Sequence, residues 1–283
     1  MALTFLAPSL TPAERGVLRA AGLRAQPAWP PAPSTRLWVD GHAVGWLEAP
    51  QQAQWLSVAP LPPHDSKGWH WHTGAPQCGW RSRHMQRLAQ RLAAVGAIAG
   101  WRNEWQDVPA LQSAAGSETD APVVAWLERA AFRFFGLRSR AVHINACDAS
   151  GRWWCGRRAA NKSRDPGLLD NLAAGGVAAG ESLKQCALRE LWEEAGVPLG
   201  APLALQGCGV LHSRAWTVEG WHNELLHCAV MALPPGFVPH NQDGEVAAFE
   251  SYTPAEVVAA IDAGLFTVDA AAAFAQTWLG SEG

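Results

Sequence analysis

Gly175-Gly-Val-Ala-Ala-Gly-Glu181-Ser-Leu-Lys-Gln-Cys-Ala-Leu-Arg189-Glu190-Leu-Trp-Glu193-Glu194-Ala-Gly196-Val197 is the stretch from which the rest of the chain is read. Ser182 to Ala195 reads as a helix, and Gly196 stands where such a helix would stop. Glu190, Glu193 and Glu194 are spaced i, i+3 and i+4, which puts them on one helix face within an arc of roughly 100°. Three unneutralised carboxylates on one face repel one another. The usual remedy is a hard divalent cation with oxygen ligands, Mg²⁺ or Mn²⁺. Ala187, Leu191 and Ala195 make a neighbouring apolar stripe able to anchor the helix to a sheet. A solvated acidic face is the ordinary alternative for such a cluster. The flanking glycines and Arg189 set this one apart.

The segment fits G-x5-E-x7-R-E-U-x-E-E-x-G-U, with U aliphatic, at all nine fixed positions over 23 residues. It resembles the Nudix box. The resemblance implies an α/β (α+β) fold, a Nudix α/β/α sandwich with a mixed sheet, preceded here by a small α+β domain. It implies that Glu190, Glu193 and Glu194 ligate metal, that Gly175 lets the backbone turn sharply and offers its carbonyl, and that Gly196 closes the helix. Arg189 is expected to pair with Glu181 or with one of the ligands. The implied chemistry is attack of water on phosphorus at a diphosphate, with metal polarising the water and the phosphoryl oxygens.

A second resemblance covers most of the chain. It is carried by Phe135-Gly136, Val142-His143-Ile-Asn145, Asn161 through Asp170-Asn171, Gly220-Trp-His-Asn-Glu224, Asp243-Gly-Glu245 and Gly100-Trp101-Arg102-Asn-Glu104. Together these are similar to the Nudix proteins related to the Nudix half of fungal thiamine pyrophosphokinase, a group with an extra amino-terminal domain. That resemblance implies hydrolysis of thiamine diphosphate analogues, oxo- and oxythiamine diphosphate foremost, to monophosphates. Asp165 stands where the group carries an aromatic residue before Pro-Gly.

The bulk numbers agree with an enzyme of small molecules. The chain has 283 residues, room for two domains. A formal net charge of −3 argues against a general nucleic-acid binder. The six cysteines form no CxxC pair and suit reduced thiols. The amino terminus has no basic segment and no long apolar run, so neither a signal peptide nor a membrane span is expected, and the expected home is the cytoplasm. The partner expected is a small-molecule diphosphate, and a homodimer is the quaternary expectation.

Along the chain, Thr11 to Gly22 reads as a helix capped by Thr11 or Ser9. Arg36 to Leu47 reads as a hairpin turning at Asp40-Gly41. Pro60 to Pro76 reads as loop, its Trp69-His-Trp71-His72 centre being too weak a pattern for a metal site. Arg83 to Val95 reads as a helix, Leu111 to Ala121 as a linker, and Pro122 to Phe135 as a further helix on the spacing of Val124, Leu127, Ala131 and Phe135. Strands follow at Ala141–Cys147, Arg152–Arg157, Gly207–Ser213, Glu224–Leu233 and Val246–Ser251, and helices at Pro254–Ala263 and Asp269–Leu279. The domains are expected to divide near residue 115, the first having Trp38, Val44, Trp46, Leu88 and Leu92 as its core.

Beyond the box, Glu245 is a candidate general base or extra metal ligand, and Glu224 a weaker one. Asp243-Gly244 is equally an ordinary turn. Arg157, Arg158 and Lys162 are candidates for phosphate contact. Trp101, Trp105 and Trp221 could stack on a flat ring, with His143, Asn145 and Asn171 as polar contacts. Two competing readings stay open. One is a Nudix hydrolase of ADP-ribose or a dinucleotide, which shares the metal helix. The other is a non-catalytic Nudix-like ligand sensor, which loss of a box glutamate would favour; every box glutamate is present.

Overall fold

The computed structural model describes residues 7–27, 35–74, 76–111, 121–198 and 204–280. Its larger body is a mixed seven-stranded sheet between two layers of helices. Strands β7 (Ser139–Cys147), β8 (Trp153–Arg158), β9 (Leu169–Asp170), β10 (Ala173–Gly176), β11 (Gln206–Thr217), β12 (Gly220–Ala232) and β13 (Val246–Tyr252) build the sheet. Its main path runs β11-β12-β7-β8-β13, with β10 added to β7 and β9 to β8. The β12–β7 pair is parallel and the other pairs are antiparallel.

Alternation along β7 sorts the two faces. Val142, Ile144 and Ala146 pack under helix α4 (Leu183–Ala195) through Cys186, Ala187 and Leu191. The opposite face meets α5 (Pro254–Asp262) and α6 (Val268–Leu279). There Ala141, Leu226 and Cys228 pack on Ala272 and Ala273, and Trp153 packs on Phe274 and Trp278. This is the expected α/β/α sandwich. The six cysteines are free thiols, as expected. Among the described residues, no helix is long and apolar enough to cross a membrane.

The second unit holds β1 (Thr35–Val39), β2 (His42–Leu47), α2 (Ala49–Val58), β3 (His64–Asp65), β4 (Gly68–Trp71), α3 (Cys78–Ala94), β5 (Trp105–Pro109) and β6 (Val123–Glu128). The hairpin turns at Asp40 and Gly41, whose φ angles of 45° and 83° match a two-residue turn with both central residues left-handed. Four strands form a sheet in the order β2-β1-β4-β3, and β5 and β6 form a separate ribbon.

Several expectations need correction here. Pro122 to Phe135 is not a helix. It is strand β6, a 3-10 turn at Arg129–Ala131, and a turn ending at Gly136. Pairing with β5 supplies the hydrogen bonds that a helix would have made internally, and Glu128 is buried where its carboxylate accepts from the Arg102 and Ala130 amides. Pro60 to Pro76 contains β3 and β4, the latter parallel to β1, and α2 has no counterpart in the sequence reading. Within the tryptophan-histidine segment, His70 pairs with Asp65 at 2.8 Å and stacks on Trp38. Most of the expected linker, residues 112–120, lies outside the described residues.

The division near residue 115 does not follow the packing. The amino-terminal core joins Val44, Leu88 and Leu92 to Val108, Leu127, Phe132, Phe135 and Leu137, on both sides of that point. Trp46 is buried outside this cluster, and Trp38 is half-buried with its indole donating to the Lys67 carbonyl. Helix α1 (Pro12–Ala25), capped by Thr11 and Glu14 in a reciprocal box, lies apart from that core. Its Leu18 and Ala21 pack among Phe274, Val257 and Trp278 of the sandwich. The first helix of the chain therefore completes the outer layer of the last domain. Leu18 has no exposed surface. Leu18→Ala is expected to lower stability by about 2–5 kcal/mol, the range for deleting a buried leucine side chain. A change below about 1 kcal/mol in urea unfolding would show that α1 is not part of this core.

Candidate active site

Helix α4 is locally well specified. Ser182 accepts from the Gln185 amide while Gln185 reaches back to the Ser182 amide, a reciprocal cap at the amino end. At the other end Gly196 takes φ 67°, and its amide returns to the Leu191 and Trp192 carbonyls. With the apolar stripe held under β7, the glutamates turn toward β10. Glu190 and Glu194 are buried, and the Glu193 side chain remains 40% exposed.

Gly175 lies inside β10, paired with Val142, and not at a sharp turn as expected. Its need for glycine is spatial. A Cβ there would stand 1.9 Å from Glu190 Oε1, so any side chain would displace the carboxylate. The next backbone amide but one upstream of Gly176, that of Ala174, donates to Glu194 Oε2 at 2.9 Å. The strand and the helix thus present the two buried carboxylates and the Gly175 backbone in one small volume.

Arg189 makes the pairing expected with Glu181, and more. Its Nε and Nη2 grip the two Glu181 oxygens at 2.9 and 3.0 Å, a bidentate fork. Its Nη1 reaches Glu190 at 2.6 Å and Glu193 at 3.1 Å, and Nη2 also donates to the Gly176 carbonyl at 3.1 Å. One guanidinium therefore serves three carboxylates, with Glu194 beyond its reach. Burial pushes the Glu190 carboxyl up to about 7, against the pull of Arg189. Burial, then the neighbouring Glu190, pushes Glu194 well above the usual carboxylate range. Burial also opposes ionisation of Glu181, yet Arg189 holds it below that range. Crowded oxygen donors with too little positive charge, against a backbone that leaves no room for a Cβ, fit a hard divalent cation. Glu190, Glu193, Glu194 and the Gly175 carbonyl are the donors such an ion would use.

Beside these groups lies a cavity of about 950 Å³. Both units line it. From the amino-terminal unit come Arg102, Trp105, Gln106 and Arg129. The β5 segment also holds the loop leading into α4: the Ala179 amide donates to the Trp105 carbonyl at 2.8 Å and the Gly180 amide to Asp107 at 3.3 Å. In the same cavity Lys162 pairs with Glu245, which Arg102 approaches to 3.5 Å. Burial works against the Glu245 charge, but Lys162 and Arg102 hold its carboxyl below its ordinary value. A carboxylate so stabilised is a weak base. Its geometry is that of an anchor for two cations.

The other candidates divide by strand face. Lys162, His143, Trp105 and Trp221 line the cavity, as does Arg158, which pairs with Asp170 at 2.8 Å. Arg157, one residue earlier on β8, points elsewhere and binds Glu250 at 2.5 Å and the Gly167 carbonyl at 2.7 Å. Asn145 and Asn171 are buried and are not part of this cavity's lining. Asn171 donates to Asn145 at 2.6 Å and accepts from His143 Nδ1 at 2.7 Å, so the pair orients the His143 ring. Trp101 packs on the amino-terminal core and donates to Asn103, outside the cavity lining. Glu224 accepts from Ser139 at 2.7 Å at the far wall. There it meets His222 and Asp269, a grouping that sequence reading did not find, since only folding brings β12 and α6 together. Arg102 was also not singled out, although it stands in the Gly100-Trp101-Arg102 motif.

The NUDIX domain family matches residues 137–271. The chain is 34% identical over 184 residues to Nudix hydrolase 20, chloroplastic, of Arabidopsis thaliana, covering 64% of this chain and 47% of that protein. The matched stretch thus spans about half the length of the plant relative. It is 32% identical over 176 residues to the Nudix hydrolase YfcD of Salmonella typhi, covering 61% of this chain and 83% of the relative. Among solved structures, a protein of Deinococcus radiodurans aligns with a TM-score of 0.46 at 25% identity, over 58% of this chain and 92% of its own. The box at Gly175 to Val197, the sandwich that carries it and these relatives place the chain in the Nudix hydrolase family.

Proposed function

We propose that the protein is a Mg²⁺- or Mn²⁺-dependent hydrolase that cleaves the diphosphate linkage of thiamine diphosphate analogues, oxo- and oxythiamine diphosphate foremost, to give monophosphates. One observation carries the hydrolase part: the convergence of Glu190 and Glu194 on the Gly175 backbone, with Arg189 forked onto Glu181. Glu190, Glu193, Glu194 and the Gly175 carbonyl would hold the ion, which would supply Lewis-acid polarisation of the phosphoryl oxygens and of the attacking water. The chain's own residues do the rest. Arg189 fixes Glu190 and Glu193 in orientation. Lys162 and Arg102, anchored on Glu245, and Arg158, anchored on Asp170, offer cations where a diphosphate would lie, and charged donors of this kind bind phosphoryl oxygens well. The loop before α4, tied to β5, keeps the helix entrance rigid and so preorganises the site.

The choice of thiamine analogues is supported by the resemblance of the flanking motifs and by a roomy cavity with an aromatic wall at Trp105 and Trp221. Nucleotide diphosphates such as ADP-ribose share the metal helix and are the competing substrates.

Three outcomes are expected. Turnover should require Mg²⁺ or Mn²⁺ and cease with EDTA. Glu193→Gln and Glu194→Gln should each lower kcat by about 100-fold or more while circular dichroism is unchanged, as befits loss of a group that holds the ion. Gly175→Ala should weaken Mn²⁺ binding in calorimetry by about tenfold or more, because the new Cβ would stand 1.9 Å from Glu190 Oε1 and displace the carboxylate. Near-normal turnover with EDTA present would overturn the mechanism. For the substrate, kcat/KM is compared for thiamine diphosphate, its oxo and oxy forms, ADP-ribose and NADH. A nucleotide that wins by about tenfold, or about 1.4 kcal/mol in transition-state binding, would leave the chemistry standing and remove thiamine.

A further inference from the structure

His143 stands on the face of the sheet away from the box glutamates. Along β7, Val142 pairs with Gly175 and His143 with Ala174. Val142 packs under α4, and Glu190 fills the place of a Gly175 Cβ on that same side. Ala141, one position before Val142, packs on α6. By alternation His143 shares the α6 side. The cavity borders both sides, since His143 lines it together with Gly175, Glu190 and Glu193. The imidazole is therefore placed for a part of the substrate other than the metal-bound diphosphate.

A chain of buried hydrogen bonds fixes which ring nitrogen carries the proton. The Ala273 carbonyl, which only accepts, takes the Thr277 hydroxyl at 2.7 Å. Thr277 Oγ1 is then the acceptor for Asn145 Nδ2, at 2.9 Å. That turns the Asn145 oxygen toward Asn171, whose Nδ2 donates to it at 2.6 Å and also meets the Ala270 carbonyl at 3.4 Å. Asn171 Oδ1 is left facing His143 Nδ1 at 2.7 Å. Two acceptors do not bond, so Nδ1 bears the hydrogen, and in the neutral ring Nε2 is an acceptor. His143 is only 6% exposed, yet its Nε2 makes no hydrogen bond among the described residues and is not sealed off, in contrast to His227 Nε2. Asp269, whose charge acts on this ring, is engaged elsewhere: Oδ1 accepts from Ser213, and Oδ2 faces His222 at 3.4 Å. A nearly buried acceptor, oriented by three other side chains and set in a cavity wall, calls for a donor.

We propose that His143 is a specificity-determining residue, its Nε2 accepting a hydrogen bond from an N–H or O–H group on the organic part of the substrate. An amino group or ring N–H of a heterocycle belongs to this class, and so does a sugar hydroxyl. A substrate without the donor would leave the buried nitrogen unpaired, which is a stronger ground for rejection than a difference in shape. The inference rests on the diphosphate hydrolase reading but not on thiamine, since thiamine analogues and ADP-ribose both carry such donors.

The first test is nitrogen NMR of the full chain with isotope-labelled histidine, at about pH 8, where a free imidazole is neutral. His143→Gln assigns the signal by its loss. Nε2 should carry no proton in the free protein. Its resonance should shift with millimolar thiamine monophosphate or AMP in the presence of Mg²⁺, and should stay in place with isopentenyl diphosphate, whose organic part has no N–H or O–H. A proton on Nε2 in the free protein, or a signal that neither monophosphate moves, overturns the proposal. The second test is kinetic and uses His143→Phe, checked for its Tm, with thiamine diphosphate, oxothiamine diphosphate and ADP-ribose as substrates. For whichever is turned over, KM should rise about tenfold or more while kcat stays within about threefold, and the inhibition constant of isopentenyl diphosphate should not change. An unchanged KM overturns the proposal. So does an equal weakening of isopentenyl diphosphate, which would make the histidine a support for the whole site. Absence of turnover with every diphosphate would sink the hydrolase reading instead, and the NMR measurement would then decide the role of His143 alone, as it would if His143→Phe failed to fold.

Discussion

The contact between Glu190 and the backbone of Gly175 is the constraint around which the site is arranged. A carboxylate can lie this close to a strand only where the strand has no side chain. The same closeness drives Glu190 out of water and raises its proton affinity. Arg189 offsets part of that cost, but it is shared with Glu181 and Glu193. Left as protein alone, the cluster is short of positive charge and destabilising. A divalent ion would supply much of the positive charge that the cluster lacks. Function and local instability here have one cause, buried oxygen donors, in keeping with the general clustering of perturbed carboxyl groups at reactive sites.

The helix that carries the glutamates is held from two sides. Its apolar stripe is clamped under β7, and the loop leading into it is tied by hydrogen bonds to β5 of the other unit. Arg140 of the sandwich pairs with Asp107 of the same ribbon at 3.0 Å, which fixes the ribbon against the sheet. The amino-terminal unit therefore contributes to the candidate site through backbone contacts as well as cavity side chains. Helix α1 makes the reverse crossing and covers α6. Two segments from the first half of the chain are structural parts of the second.

How much of this could be read from the sequence depended on the range of the forces involved. Helix α4 was legible because its cap, its stop, its apolar stripe and its acidic face all lie within one short segment. The hairpin at Asp40-Gly41 was legible for the same reason. Strand β6 was misread because Val124, Leu127, Ala131 and Phe135 happen to fall at helical spacing. Val124 and Leu127 are buried instead through pairing with β5, while Ala131 and Phe135 lie in the turns that follow and pack into the same core. Strand β4 owes its existence to a parallel partner, β1, and a short parallel strand carries no local mark. Arg157 and Arg158 show the limit most clearly. Both were candidates, and a shift of one position along a strand reverses the face, so only the register of β8 against β13 could separate them.

The candidate pocket residues divide in the same way. Asn145 and Asn171 were candidates for polar contact with a substrate, and their surroundings make them orienting groups for His143 instead. This is the expected fate of a polar side chain with no exposure: its hydrogen bonds must be met inside the protein, and groups that meet them cannot also meet a substrate. His222 is as buried as His143, and it too is met inside the protein: its Nε2 lies 3.4 Å from Asp269 Oδ2, whose other oxygen accepts from Ser213. Three serine- and strand-held groups aimed at one point require specific positions on β7, β11, β12 and α6. Packing alone would have been served by apolar residues at each of them, because a buried cluster of charges is seldom more stable than its apolar replacement.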